Sequence, residues 1–485
     1  MSSREIEPVE IGWIFKGTVV SPELDRSLSI APDQLVVVDK AGFIAHVVSV
    51  RDEASLAYLG FVQHGEIPHD RFVELGDNSW ILPGFVDTHI HAPQYVNAGM
   101  ALDRPLMEWL EHYTFKAEAR IDADPEGYGK EVYERLVARL LENGTTAASV
   151  FGTISVEANM TLARAFVDAG IRGQIGKVAM DQNSLPNYIE KTLTSLDDTR
   201  RFITSVRGLA SQLVEPVVTP RFVPTCSREL LVGLEEIART ERVRIQSHLA
   251  ESIGEVEVCK NMLGGQTDVE YFNELGLLNP SSLMAHCTHA TASDLALLAR
   301  TRTSIAHCPL SNVYFSSERQ LPLREAWDAG VRVGLGSDIS GGYRVGLDEN
   351  MRWSVGISKL REGAISGSLT PAGIDEDCSN RATDGEVEAE RRSVAISWQE
   401  SIFLATLGGA QALGLDETRR IGRLAVGMAF DAQLIRLGSR RSRVDWFGGD
   451  ISLEEKVEKW WCNGNEVDRT AVWVQGKRVY SNADC

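Results

Sequence analysis

The sequence predicts an α/β protein, a (β/α)8 barrel of the TIM type flanked by a small β-sandwich domain. Between residues 80 and 340, short runs rich in Val, Ile and Ala alternate with longer segments of helical period, as in successive βα units. Eight such runs can be counted, and eight parallel strands close into a barrel with a filled interior. Further strand-like runs lie near both chain ends, outside the barrel, and predict the smaller domain.

The predicted barrel strands are short apolar runs, each followed by a turn or a helix. In chain order they span residues 80–91, 145–152, 173–180, 215–222, 243–251, 283–287, 304–309 and 331–338. Residues 125–143 show the helical period, with apolar side chains three and four apart and Gly144 as a stop. Similar patterns predict helices at residues 227–241, 292–300, 323–329 and 398–413, the last closing the final βα unit.

The two chain ends carry the remaining strand signals. Residues 34–39 and 42–50 read as strands upstream of the barrel, and residues 431–437 and 470–480 resemble them downstream. Neither end has enough apolar surface to be stable alone, so we expect both ends to pair into one domain.

This pairing defines the predicted domain organisation. Residues 1–80 and 424–485 form the composite β domain, and residues 81–423 form the barrel. Within the barrel, residues 361–392 are rich in Gly, Ser, Asp and Glu and show little periodicity, which predicts a mobile surface insertion that could partly cover a pocket mouth.

Composition excludes several classes of partner. The net charge is -19 with a sequence pI near 5.1, so the long-range field repels nucleic acid and anionic membranes. No run approaches the roughly 18 apolar residues of a membrane span, and residues 1–13 lack the apolar core of a signal peptide. The seven cysteines are scattered without C-x-x-C pairs, which favours reduced thiols. We therefore expect a cytoplasmic protein with a small-molecule substrate.

Two histidines at the end of the first barrel strand carry the strongest chemical signal. His89 and His91 close the run PGFVDTHIH at residues 83–91. Residues two apart on a strand point to the same face, so both imidazoles converge at the strand's end, as a metal ion requires. A buried histidine is more often hydrogen-bonded than metal-bound, so the pair alone leaves both interpretations open.

Other titratable residues recur at the same position on other predicted strands. His248 and Glu251 follow the fifth strand, His286 the sixth and Asp338 the eighth. Catalytic residues of barrels lie at this rim. Three imidazoles, a carboxylate and a water match a catalytic zinc site rather than a closed structural one.

Together these residues resemble the amidohydrolase superfamily, whose signature is the His-x-His of the first strand. The likeness extends through the runs VTPRF (218–222), QSHLAE (246–251), AHCPLSN (306–312), GLGSD (334–338), ATLGGAQALG (405–414) and GMAFD (427–431). The resemblance implies that His89, His91, His248 and Asp338 bind one Zn²⁺ per chain. It also implies that Glu251, His286 and Asp338 are catalytic and move protons in a hydrolytic deamination.

The fourth strand favours the single-metal subclass. Two-metal relatives place a carbamylated lysine there, whereas this chain has Thr219, Pro220, Arg221 and Phe222. Arginine cannot replace that bridge. Lys177 on the third strand is the nearest other candidate, and structural pairing is the favoured interpretation for it.

The same resemblance implies a purine base as substrate, with guanine expected first. Gln94, Arg221 and Phe222 line the base site in the resembled proteins, and His248, Glu251 and Asp338 also meet the substrate. Glutamine offers a donor and an acceptor and arginine only donors, which suits guanine's ring nitrogens and carbonyl. The alternative for Arg221 is an ion pair with a core acid.

Several other interpretations stay open at this stage. The substrate could be another purine, a pyrimidine or a triazine, and the barrel could be a metal-free scaffold, since fold alone proves no activity. His64 and Glu66 imitate the H-x-E of another zinc deaminase fold, but the P-C-x-x-C partner is missing. His307 and Cys308 are expected in the barrel wall, and His289 is expected to be a bystander. The family likeness suggests a homodimer.

Overall fold

The computed structural model describes residues 7–365, 393–445, 447 and 450–482. The N-terminal segment forms five strands, β1 (Ile11–Pro22), β2 (Leu28–Asp39), β3 (Ile44–Ser49), β4 (Phe72–Glu74) and β5 (Ser79–Pro83). Helix α1 (Glu53–Gln63) connects β3 to β4. These elements precede the barrel and do not belong to it.

The next eight strands form one parallel sheet in strict chain order, as the sequence predicts. They are β6 (Phe85–His91), β7 (Thr145–Phe151), β8 (Arg172–Ala179), β9 (Val214–Pro220), β10 (Arg244–Leu249), β11 (Ser282–His286), β12 (Ser304–His307) and β13 (Val333–Leu335). Backbone hydrogen bonds bring the segment after β13 back to β6, with Asp338 N–H donating to the His89 carbonyl at 2.8 Å. The predicted (β/α)8 barrel is therefore confirmed.

Helices cover the outside of the barrel and extend its rim. They are α2 (Leu106–Trp109), α3 (Phe115–Ala123), α4 (Lys130–Glu142), α5 (Val156–Ala169), α6 (Thr192–Gly208), α7 (Arg228–Glu241), α8 (Ile253–Met262), α9 (Asp268–Glu274), α10 (Ala292–Thr301), α11 (Pro309–Phe315), α12 (Leu323–Asp328), α13 (Leu347–Ile365), α14 (Trp398–Phe403), α15 (Gly409–Leu413) and α16 (Leu415–Thr418). Side-chain caps fix several starts: Ser227 accepts from Leu230 N–H at α7, and Thr291 forms a capping box at α10. The predicted helices are all present, with ends shifted by a few residues.

The C-terminal segment returns to the N-terminal strands, which confirms the predicted composite sheet. It forms β14 (Ala432–Arg436), helix α17 (Leu453–Asn463), β15 (Arg469–Val474) and β16 (Lys477–Ser481). The sheet order is β16-β15-β14-β5-β1-β2-β3, with β4 beside β1. This small domain thus depends on strands from both chain ends.

The small sheet curls strongly enough to pack against itself. Strands β1 and β15 stand three places apart in the sheet, about 14 Å in a flat one. Even so, the Trp473 ring centroid lies 5.6 Å from that of Trp13 and 5.2 Å from that of Phe15. These aromatic rings fill a core between the two halves of the curled sheet.

Each of two predicted strands is divided into two separate strands in the structure. The run at residues 80–91 breaks at Gly84, so that β5 belongs to the small sheet and only β6 to the barrel. A Cβ at Gly84 would lie 2.1 Å from the Thr146 hydroxyl oxygen, so the chain crosses between sheets where no side chain fits. The run at residues 470–480 folds as the β15–β16 hairpin, whose turn residues Gln475 and Gly476 both have positive φ.

The predicted mobile insertion begins inside a helix. Residues 361–365 are the last turns of α13, and Arg361 pairs with Glu325 on α12, which corrects that boundary. The remaining residues, 366–392, lie outside the described part of the chain. None of the helices in the described ranges combines the length and the apolar character needed to cross a bilayer.

Candidate active site

Three buried imidazoles meet at the carboxyl end of the barrel strands. His89 and His91 end β6, and His248 lies near the end of β10. The Nε2 atoms of His91 and His248 are 3.0 Å apart, and the His89 ring centroid lies 4.9 Å from that of each of the other two. The sequence-predicted ligands are therefore brought together in space.

Asp338, which follows β13 and lies beside β6, completes this cluster. Its Oδ1 lies 3.2 Å from His89 Nε2 and 3.4 Å from His91 Nε2. A tetrahedral zinc ion with Zn–N bonds of roughly 2.0–2.1 Å holds its ligand atoms about 3.3 Å apart. The observed spacings match, and His89 Nε2 is buried without a hydrogen-bond partner among the described residues. These donor atoms therefore fit one divalent ion.

Hydrogen bonds set which ring nitrogen faces the centre. His248 Nδ1 donates to the Arg221 carbonyl at 2.7 Å, which leaves Nε2 free as a ligand. His286 Nδ1 donates to Asn312 Oδ1 at 2.8 Å, so its Nε2 also faces inward. Burial lowers the pKa of His89, His91 and His248 well below the usual range, and neighbouring imidazoles add to the effect. Neutral imidazole is the form that binds a metal.

A buried carboxylate joins the first and last barrel strands beneath the centre. Asp87 accepts from His89 N–H at 3.1 Å and from the Ser337 N–H and hydroxyl at 2.9 and 2.5 Å. Asp338, which follows Ser337, has a φ of 48°, and His286 at the end of β11 has a φ of 70°. Such left-handed backbone is costly for these residues and persists where the surroundings hold it. The rim is therefore rigidly preorganised.

Glu251 and His286 lie beside the ligand cluster. His286 Nε2 is 3.7 Å from Glu251 Oε1 and 3.9 Å from Asp338 Oδ2. Burial raises the pKa of Glu251 well above its usual range, and the Asp338 carboxylate adds to this effect. A carboxyl group with a raised pKa keeps its proton to higher pH and can donate it to a substrate nitrogen.

Two acids that the sequence reasoning missed fix the loop that carries Glu251. Glu255 Oε2 accepts from Glu251 N–H at 2.7 Å, and Asp268 Oδ2 accepts from Ala250 N–H at 2.7 Å. Both carboxyls are buried, and burial raises the pKa of each. Neither follows a barrel strand, so the rim pattern gave no signal for them.

A cavity opens directly beside the cluster. Its polar lining includes Gln94, Arg221, Glu251 and Asp338, and its apolar lining consists of Leu106, Trp109, Leu110, Phe222 and Phe315. The three candidate base-binding residues Gln94, Arg221 and Phe222 thus line one pocket with three of the four candidate metal ligands, His91, His248 and Asp338. A mostly apolar cleft with a few convergent polar groups is the usual form of a small-molecule site.

Arg221 also makes the ion pair that was its alternative interpretation. Its Nη1 donates to both carboxylate oxygens of Glu118, at 3.1 and 2.8 Å. Glu118 lies on α3 and is fully buried, and the sequence reasoning missed it. The only signal was its place in the apolar stripe Phe115–Glu118–Ile121 at helical spacing.

The remaining sequence candidates lie away from the chemistry or in the wall. Lys177 donates to Glu190 at 2.6 Å and to the Val178 carbonyl at 3.1 Å, so it pairs structurally, as expected. His307 and Cys308 are buried in the barrel wall. His289 contacts Ser316 and Glu318, and His64 lies 4.0 Å from Glu66 in an exposed segment.

Comparison with known proteins agrees with this geometry. Residues 80–479 match the amidohydrolase family, and the chain belongs to that family of metal-dependent hydrolases. Guanine deaminase of Homo sapiens is 35% identical over 99% of this chain and 98% of its own length. Guanine deaminase of Dictyostelium discoideum is 33% identical, with 96% of this chain and 98% of the relative covered.

A solved structure extends the similarity to three dimensions. The guanine deaminase from C. acetobutylicum, with guanine bound in its active site, superposes with a TM-score of 0.82 at 30% identity. The match covers 96% of this chain and 100% of the other. The similarity therefore includes both the barrel and the small sheet.

Proposed function

We propose that this chain deaminates guanine hydrolytically, giving xanthine and ammonia. The observation that carries the proposal is the contact of two parts: a three-histidine, one-aspartate centre and a pocket lined by Gln94, Arg221 and Phe222. Near full-length similarity to guanine deaminases supports the choice of base. The proposed reaction belongs to purine catabolism and salvage.

The proposed cofactor is one Zn²⁺ per chain, held by His89, His91, His248 and Asp338. When bound, such an ion lowers the pKa of its water from 15.7 toward about 7. Nitrogen-rich donor sets with one carboxylate suit zinc better than calcium or magnesium, which favour oxygen ligands. The neutral imidazoles described above need not lose a proton before binding.

The catalytic acids divide the proton transfers between them. Asp338 accepts the proton of the attacking water, and His286 orients that water from the other side. Glu251 gives its proton to a ring nitrogen, takes the second proton of the water from the new hydroxyl group and passes it to the departing amine. The proton held by Asp338 then returns to Glu251. The new C–O bond forms at the amino-bearing carbon, the C–N bond breaks, and ammonia leaves.

The pocket holds the base by stacking and by hydrogen bonds. The Phe222 ring offers a flat apolar surface for the purine, while Gln94 and Arg221 face its polar edge. Because His248, Glu251 and Asp338 share this cavity, they also contact the bound base. A base with a different order of donors and acceptors along this edge would leave the Gln94 and Arg221 groups without complementary partners.

Glu251→Gln tests the proposal. Purified wild-type protein is expected to release ammonia from guanine and not from adenine or cytosine, as followed by ultraviolet absorbance. Glu251→Gln keeps the shape but has no proton to give, so we expect kcat to fall by about 10³-fold or more while the metal content stays at one per chain. Turnover of cytosine with guanine inert would contradict the proposal, and protein without bound metal would favour the scaffold alternative.

The proposal also covers assembly, location and domain division. We propose a cytoplasmic homodimer, on family likeness and on the acidic composition. Residues 1–80 with 424–485 form the small domain, and residues 81–423 form the barrel. The pairing of β5 with β14 supports moving the first boundary to Gly84.

A further inference from the structure

Glu118 lies behind the base pocket and connects its two polar residues. Its Oε1 accepts from Gln94 Nε2 at 3.1 Å, and both of its oxygens accept from Arg221 Nη1. Oε2 also accepts from the Tyr188 hydroxyl at 2.8 Å. Glu118 itself does not line the cavity. One carboxylate thus orients two residues proposed to bind the substrate.

The carboxylate determines which end of the Gln94 amide faces the pocket. An ionised carboxylate can only accept hydrogen bonds, so the Gln94 NH₂ group must point toward it. Gln94 lines the cavity, and its side-chain hydrogen bond within the described part of the chain is made by Nε2, so the amide oxygen Oε1 is left to face the cavity. Gln94 therefore presents an acceptor to the base rather than a donor.

The same contact leaves Arg221 with donors for the base. Nη1 is used by Glu118, whereas Nη2 makes no hydrogen bond within the described residues. The guanidinium carbon also lies 5.0 Å from the Phe115 ring centroid, within the range of a cation–π contact. The pocket wall therefore presents one acceptor, from Gln94, beside one donor, from Arg221.

Tyr188 helps to keep Glu118 an acceptor. Burial raises the pKa of the Tyr188 hydroxyl well above its usual range, and the Glu118 carboxylate adds to this shift. The hydroxyl therefore stays protonated and donates. The Glu118 carboxyl thus accepts hydrogen bonds from Arg221, Gln94 and Tyr188.

We propose that Glu118 is a positioning residue that makes the pocket select an oxo group and a ring N–H over an amino group and a bare ring nitrogen. The inference rests on the proposed function. Guanine has N1–H and the C6 carbonyl side by side, which complement the Gln94 acceptor and the Arg221 donor. In 2,6-diaminopurine, N1 carries no hydrogen and is an acceptor, and the C6 amino group is a donor, so the donor and acceptor are reversed. The C2 amino group that would leave is the same in both bases.

Guanine and 2,6-diaminopurine lose the same C2 amino group, so a difference in kcat/KM between them reports recognition of the N1–C6 edge. Removal of the C2 amine is followed by chromatography, as xanthine from guanine and as isoguanine from 2,6-diaminopurine. For the wild type we expect kcat/KM to favour guanine by about 100-fold or more, because a polar site rejects a mismatched partner strongly. In Glu118→Gln the amide of Gln94 is free to turn, so this ratio is expected to fall by about 10-fold or more, mainly through KM for guanine.

Asp122 provides the matched control. It lies one turn further along α3, has a partly buried carboxyl, and does not line the pocket. Asp122→Asn is expected to keep the guanine preference within about twofold, and both variants are expected to keep one zinc per chain. If Glu118→Gln does not fold, Glu118→Asp keeps the charge but shortens its reach, and the ratio is expected to fall by about threefold.

The outcomes distinguish this inference from the proposed function. A wild type that does not deaminate guanine contradicts both. A wild type that does, with an unchanged substrate ratio in the Glu118 variants, overturns only the role of Glu118. A lower ratio with retained metal supports it, because a merely structural defect would slow both substrates equally.

Discussion

The two halves of the site are built in different ways. On the metal side, His89, His91, His248 and Asp338 all stand at or just after the ends of barrel strands. On the base side, Gln94 and Arg221 are oriented by Glu118, which comes from a helix between the first two barrel strands. The first half is held by the barrel itself, whereas the second depends on one buried ionic contact. Changes on the two sides should therefore alter different measurable properties.

The largest effect is expected on the metal side. His248→Ala removes one of four ligands, so we expect the zinc content to fall well below one per chain and kcat/KM for guanine to fall by about 10⁴-fold. Metal content is measured by mass spectrometry and activity by ammonia release. His289→Ala is the control, because His289 pairs with Glu318 outside the cluster. Full activity in His248→Ala would contradict the assignment of His248 as a metal ligand.

A smaller effect is expected on the base side. Arg221→Lys replaces a planar fork by a single ammonium group, which cannot reach both Glu118 and the base. KM for guanine is expected to rise by about 10- to 100-fold, while the zinc content stays unchanged because His248 is held by the Arg221 backbone carbonyl, which the substitution keeps. Steady-state kinetics with metal analysis checks this. Loss of zinc with an unchanged KM would show that the two halves are not separable.

The smallest effect concerns stability near the base side. Burial raises the pKa of Asp122 from 3.8 to about 7, and the nearby Glu118 adds to the shift. Between about pH 4 and 7 the native state therefore holds a proton on Asp122 that the unfolded chain has lost. As the pH rises through this range, Asp122 lowers the free energy of unfolding. Asp122→Asn cannot ionise, so it is expected to exceed the wild type in unfolding free energy by about 1–2 kcal/mol at pH 8 and by little at pH 5. Denaturant unfolding at both pH values measures this, and an equal difference at both would contradict the ionisation account.

The same contrast explains what the sequence could predict. The rim residues were predictable because strand alternation and chain order determine where a strand-end side chain points. His248 and Asp338 are far apart in the sequence, yet each follows an apolar run that marks a strand. The resemblance to a known family then supplied their roles, which periodicity does not.

Other features depended on contacts that no local pattern records. Glu118 looks like an ordinary helix residue, and only the folded chain shows that it meets Arg221, 103 residues away. Glu255 and Asp268 hold the Glu251 loop from helices that follow it. The break at Gly84 was missed because one apolar run continues across two sheets, and its cause is the Thr146 side chain on a neighbouring strand.

Zinc titration of the metal-free protein shows whether turnover requires one bound ion per chain. The protein is stripped with a chelator, and guanine turnover is measured as Zn²⁺ is added back in known amounts. We expect no turnover without metal and a linear recovery that ends at one equivalent per chain. Full turnover in the metal-free protein, or recovery that ends only at two equivalents, would contradict it.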